Sequence, residues 1–214
     1  MEQISIALPP IGKASEIPDP SEYEYWRGVD QRIFYIDYTI DEDQSLIELS
    51  KSIVRLNFEE QNIPKEQLKP IYIFTHSYGG ELDQAFYFCD LIKASRIPIY
   101  TIAMGAAMSA GFLIFVSGHK RYAFPHSQIL IHSGSATLSG TAEQIEEAQN
   151  NYKRQQESMK RLTLENTSID EKLFQKNSKK DWYLTGDELL KYNIADELIT
   201  DLSVLFSDKQ PTIG

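Results

Sequence analysis

From Ile97 to Gly118 the chain runs for 22 residues without a charged side chain, between Arg96 and His119. By length alone this is a membrane-span candidate. Its content argues otherwise, because Pro98, Gly105, Gly111 and Gly118 punctuate it and Ser109 sits in its middle. A strand followed by a buried helix fits better. A fold built around such a segment must cover it on all sides, and 214 residues are enough for one sizeable domain that does so.

The flanking pattern supplies the covering elements. Arg32-Ile-Phe-Tyr-Ile36 reads as a strand, and Leu46, Leu49, Ile53 and Leu56 recur at helical steps. Ile71-Tyr-Ile-Phe74 is a second strand ending at Gly79-Gly80, and Leu82, Ala85, Phe86, Cys89 and Ile92 form the face of the next helix. Pro98–Ile102 and Ile129–Ile131 read as strands, with a helix near Ser109–Val116. This alternation predicts an α/β fold with a largely parallel sheet. Ala142, Ile145, Ala148, Tyr152, Met159 and Leu162 make only a thin apolar stripe on a strongly charged helix. Such a helix projects, covers a partner subunit or lies solvated on the surface. Thr185 and Glu188 have capping-box spacing, and Ala195–Thr200 reads as a last strand. Residues 1–30, with four prolines and no clear period, predict an irregular or mobile arm, followed by one domain over 31–203 and a tail at 204–214.

Charge and cysteine usage remove several function classes. Lys plus Arg number 21 against 31 Asp plus Glu, a net charge of −10, which disfavours nucleic acid and anionic lipid as partners. Cys89 is the one cysteine, so no intrachain disulfide forms, and four scattered histidines make no zinc spacing. Met1-Glu2-Gln3-Ile4 lacks the basic start and apolar run of a signal peptide. Together these features predict a cytoplasmic protein without metal or cofactor.

Among candidate residues for chemistry, Ser109 stands out in Gly105-Ala-Ala-Met-Ser-Ala-Gly111, where a strand turns into a helix among small residues. That turn exposes a hydroxyl near outward-pointing backbone N–H groups, although small residues beside a serine also serve tight packing. No histidine follows His132, and no Asp or Glu lies between Ser109 and His132. The Ser, acid, His order of an α/β-hydrolase is therefore absent, while a Ser, His, Asp order stays open. His132 ends an apolar strand, where a core-edge histidine is the plainer alternative to a base. His126 and His119 read as a turn residue and an exposed residue. His76 reads as a neighbour of the site, because its loop leads to Gly79-Gly80, where backbone N–H groups can approach a ligand.

Four motifs then occur in one order: Thr75-His-Ser-Tyr-Gly-Gly80, Gly105–Gly111, Pro125-His-Ser-Gln-Ile-Leu-Ile-His132 and Asp181-Trp-Tyr-Leu-Thr-Gly-Asp-Glu-Leu189, followed by Lys191-Tyr-Asn-Ile-Ala-Asp196. In order and approximate spacing the chain resembles the Clp protease proteolytic subunit (ClpP) family over roughly residues 31–203. The resemblance implies a crotonase-like α/β fold, a spiral of repeated βαβ units with a projecting helix-strand handle. It implies Ser109 as nucleophile, His132 as general base and Asp181 as the orienting acid. Only the resemblance selects Asp181 over Asp170, Asp187 or Asp196. It also implies that Gly79 and Ala110 donate backbone N–H groups to an oxyanion hole.

By the same resemblance the protein is a serine endopeptidase acting on peptides or unfolded proteins inside an oligomeric chamber. It would form two stacked seven-membered rings through the helix at 141–165 and an adjoining strand at 134–140. A separate AAA+ unfoldase of the Clp type would feed it, since the chain has no phosphate loop of its own. Two departures bear on this. Ser77-Tyr78 stands where the family usually has Ser-Pro, which could alter the oxyanion loop. Ser133-Gly134 stands where Gln-Pro is common, which predicts a looser substrate-binding strand. Three alternatives stay open: a catalytically silent subunit of a mixed assembly, a crotonase-fold enzyme acting on acyl-CoA, and a phage-encoded or specialised relative working without the ATPase.

Overall fold

Strand β2 (Ile71–Ser77) is buried on both faces, and its alternation sorts the protein into two layers of core. Ile71 and Ile73 point into the larger cluster, while Tyr72 and Phe74 point into a smaller one with Ile102, Tyr122, Ile199 and Leu205. Only a central strand covered on both sides shows this pattern. The computed structural model describes residues 20–41 and 44–206.

The sheet runs β1 (Ile33–Ile36), β2, β3 (Ile99–Met108), β4 (Lys120–Ala123) and β7 (Glu197–Leu198), every neighbouring pair parallel. Parallel neighbours need crossovers, which α2 (Gln44–Glu59), α3 (Leu82–Ala94) and α4 (Ala110–Val116) provide. All seven residues of α4 are buried. The charge-free segment is thus a ten-residue strand and a short internal helix. Among the described residues no helix is long and apolar enough to cross a membrane.

The end of β3 diverges from the main sheet. Its last three residues pair with β5 (Gln128–Ile131), which pairs antiparallel with β6 (Trp182–Thr185). This branch carries the C-terminal end of β3 onto a small second surface. Neither β4 nor β6 was expected from the sequence, and the antiparallel pair qualifies the largely parallel reading.

Several expectations need correction. Pro20–Gln31 form helix α1, not irregular chain, and Val29 is buried in the core. Pro20 occupies the first helical residue, where its missing N–H costs nothing. Residues 1–19 of the expected arm lie outside the described residues. At the other end, Ser203–Phe206 form α8, and Leu205 is fully buried while its carbonyl accepts from the Tyr72 hydroxyl at 2.7 Å. Packing therefore extends past residue 203, and 207–214 lie outside the described residues.

Helix α5 (Ala142–Asn166) opens with a complete capping box between Thr141 and Gln144. At about 1.5 Å per residue its 25 residues span roughly 37 Å. Only Met159, Leu162 and Thr163 are buried, and residues 135–151 are exposed throughout. The helix of the expected handle is present. The strand expected over 134–140 is not, because a strand needs a paired edge and this segment meets none among the described residues. Near its C-terminal end α5 is tied down by Arg121, which pairs with Asp196 at 2.7 Å and donates to the Asn166 carbonyl.

Helix α6 (Glu171–Asn177) follows, capped by the Asp170 carboxylate at the Leu173 N–H, 2.7 Å away. Helix α7 (Asp187–Lys191) starts after Gly186. Gly186 is its N-cap and offers no side chain, so the capping box expected from Thr185 and Glu188 is not formed. Glu188 reaches the Thr185 N–H, but the Thr185 hydroxyl donates to the Ser127 carbonyl instead.

Candidate active site

Ser109 stands between β3 and α4 with φ 53° and ψ −120°, a left-handed conformation rarely adopted by a residue with a side chain. The surroundings hold it there. Its N–H donates to the Leu130 carbonyl at 3.0 Å, and its own carbonyl accepts from Phe112 and Leu113 in the first turn of α4. The strand on one side and the helix on the other leave the hydroxyl as the group that can project.

His132 is placed by the parallel β3–β5 pairing, in which Met108 lies opposite Leu130. One step further Ser109 falls opposite Ile131, and His132 is the next residue along, with its Nε2 2.8 Å from Ser109 Oγ. Asp181 is placed by the antiparallel β5–β6 pairing, in which Ile131 lies opposite Trp182. The next pair outward is His132 and Asp181. Asp181 Oδ1 lies 3.4 Å from His132 Nδ1, with the Asp181 side chain 59% exposed and that of His132 24% exposed. Asp170 caps α6 and Asp196 pairs with Arg121, so both are occupied elsewhere.

Gly79 lies against the nucleophile. A Cβ there would fall 2.7 Å from Ser109 Cβ, 2.8 Å from the Met108 carbonyl and 3.1 Å from Ala110 N, and its φ is +106°. Only glycine fits this turn. The Ala110 N–H belongs to the first helical residue of α4, so it is one of the donors a helix leaves unused. The Gly79 N–H donates to Ser77 Oγ at 3.2 Å, and Ser77 Oγ donates to the Tyr38 carbonyl at 2.6 Å. Ile40 also brackets the loop, giving its N–H to Gly79 and accepting from Glu81. The glycine loop is therefore fastened to residues 38–40. Nothing in the sequence pointed to Tyr38 and Ile40. Ser77 carried a weak signal, as a serine two residues before a turn glycine.

Among the described residues, the remaining histidines show no hydrogen bond to Ser109, His132 or Asp181, although His76 directly precedes Ser77 of the glycine loop. Nδ1 of His76 lies 2.8 Å from the Met104 carbonyl, and its ring meets the exposed ring of Tyr78 edge to face at 5.8 Å. Nδ1 of His119 accepts from the Ile99 N–H, and burial pushes its pKa down. His126 is exposed. No strand follows the base at Ser133-Gly134 among the described residues, although Ser133 itself is anchored. Ser133 gives both its N–H and its hydroxyl to the Ser178 carbonyl, at 2.7 and 2.8 Å.

Comparison with known proteins identifies the family. The Clp protease family model matches residues 24–201. The ATP-dependent Clp protease proteolytic subunit 2 of Treponema denticola is 32% identical over 153 residues, covering 71% of this chain and 76% of that protein. The chain belongs to the Clp protease family. It is a serine peptidase subunit of that family with the family's α/β fold, and the acyl-CoA reading gives way to this assignment. The family match begins inside α1 and ends just before α8, so it spans the whole sheet and all three strands that bear the constellation.

Proposed function

We propose that the protein is a serine endopeptidase in which Ser109, His132 and Asp181 act as a triad. The observation that carries this is the 2.8 Å approach of His132 Nε2 to Ser109 Oγ, with a carboxylate at the other ring nitrogen. A serine hydroxyl becomes nucleophilic when a neutral imidazole takes its proton. Nε2 accepts that proton as Oγ attacks the scissile carbonyl carbon. Asp181 favours the tautomer with the proton on Nδ1 and stabilises the imidazolium that forms. The carbonyl oxygen becomes an oxyanion facing the N–H groups of Ala110 and Gly79, the latter released by or shared with Ser77 Oγ. Imidazolium then protonates the leaving amine. A water, deprotonated by His132, cleaves the acyl-enzyme and returns Ser109.

The exposed segment 135–151 supports an assembly reading, since a helix this long with so little buried face is stabilised by neighbours. Two stacked seven-membered rings enclosing the serines would restrict cleavage to peptides and unfolded chains. The name of the Treponema relative, an ATP-dependent proteolytic subunit, supports a separate Clp-type ATPase as the feeder.

A silent subunit is the second reading. It is favoured by the exposed Asp181 at 3.4 Å and by the engagement of the Gly79 N–H with Ser77. Hydrolysis of a fluorogenic peptide by the assembled wild type, lost in Ser109→Ala, supports the peptidase. No hydrolysis in any oligomeric state favours the silent subunit.

A further inference from the structure

Ser133, the residue after the base, collects four hydrogen bonds from two directions. Its N–H and Oγ both donate to the Ser178 carbonyl, at 2.7 and 2.8 Å. Its carbonyl accepts from the Tyr152 hydroxyl at 3.1 Å and from Gln156 Nε2 at 2.9 Å. Tyr152 and Gln156 are four residues apart and so share one face of α5. Ser178 is the C-cap of α6, itself buried, and stands three residues before Asp181.

The seat for Tyr152 is built into the backbone. Gly134 has φ +77°, and a Cβ there would lie 2.8 Å from the Tyr152 hydroxyl oxygen. The Tyr152 phenol is a donor at neutral pH in any case, and burial pushes its pKa further up. The Ser178 end is equally anchored. The Ser178 N–H donates to the Phe174 carbonyl at 2.8 Å, and Phe174 is buried in the main core. By contrast, Asp181 is held loosely at its own side chain, 3.4 Å from His132 and mostly exposed. Its position relative to the base is therefore set by the backbone, through the β5–β6 pairing on one side and the Ser133–Ser178 bonds on the other.

Resting on the peptidase reading above, we propose that Ser133 is a positioning residue that couples the placement of helix α5 to the alignment of His132 with Asp181. Its carbonyl senses α5 through Tyr152 and Gln156. Its N–H and hydroxyl carry that placement to Ser178 and thence to the acid. A shift of α5, by a partner subunit or by its absence, would then change the triad without touching it.

The test uses the full-length assembled protein and four variants: Ser133→Ala, Ser133→Thr, Tyr152→Phe and Gln156→Met. Light scattering selects samples that assemble like wild type. Two readouts are taken, kcat and KM on a short fluorogenic peptide, and amide hydrogen exchange of segments 128–134 and 178–183 by mass spectrometry. Loss of one aligning hydrogen bond predicts a kcat about tenfold lower in Ser133→Ala with KM unchanged, and restoration by Ser133→Thr. Tyr152→Phe and Gln156→Met should each lower kcat less. Each should also speed exchange in 178–183, across the joint from the substituted side chain.

Unchanged kcat and exchange in assembled Ser133→Ala and Tyr152→Phe would overturn the proposal, as would failure of threonine to restore. If wild type cleaves nothing, the peptidase reading fails separately and exchange alone decides. Faster exchange at 178–183 in Tyr152→Phe would keep the joint, and unchanged exchange would end it.

Discussion

Ser109 and Ile145 stand in opposite kinds of surroundings. The segment around Ser109 satisfies itself within the chain: β3 pairs on both sides, α4 is wholly buried, and the strained serine is held by bonds from β5 and from its own helix. The segment 135–151 around Ile145 is exposed throughout and buries nothing of its own. The difference teaches that folding of the subunit and completion of its function draw on separate parts of the chain. One part makes a rigid frame for a nucleophile, and the other leaves a surface uncommitted.

The largest expected effect breaks the frame at its reactive atom. Ser109→Ala should lower peptide hydrolysis about 10⁶-fold, as loss of the nucleophile does in a serine protease, while assembly measured by light scattering stays intact. Asp181→Asn comes next. Where such an acid is buried, its amide costs about 10⁴-fold, and the exposed Asp181 should cost less than that. Steady-state kinetics on both variants would rank them, and an equal loss would show that Asp181 holds the base as firmly as a buried acid does. Leu162→Ala tests the committed end of α5 and should destabilise the subunit by about 2–5 kcal/mol in a denaturant titration.

Ile145→Asp tests the uncommitted end. It should move subunit stability by under about 0.5 kcal/mol and yet reduce the particle mass, because Ile145 is exposed and belongs to no core cluster of the described residues. Stability falling as far as in Leu162→Ala would erase the contrast between the two regions. The smallest effect concerns Cys89, whose thiol is pushed up to about 12 by burial. At neutral pH it should therefore resist iodoacetamide in the native state and react only after denaturation.

Much of the frame was legible in the residues themselves. The helical steps of Leu46, Leu49, Ile53 and Leu56 gave α2, and all four are buried. The charge-free segment announced β3 and α4 because only a covered strand and helix tolerate it. Shorter elements were not legible. Lys120–Ala123 begins with two cations, and its strand arises from pairing with β3 rather than from its own pattern. Trp182–Thr185 likewise shows its strand only in pairing with β5. The same applies to the site. Ser109 was marked by its small neighbours, and His132 by the strand it ends. Asp181 became a candidate only by resemblance, since its place beside His132 depends on an antiparallel register between segments 50 residues apart. The Ser133–Ser178 joint and the Tyr38–Ser77–Gly79 chain of bonds also join distant segments, and no local period encodes such contacts.

The most direct measurement is intact mass after fluorophosphonate treatment, on wild type and Ser109→Ala, with light scattering on the same samples. One adduct per subunit on a many-subunit particle, absent from Ser109→Ala, is the result expected of an activated serine in an assembled peptidase. A correctly assembled wild-type particle without an adduct would contradict it.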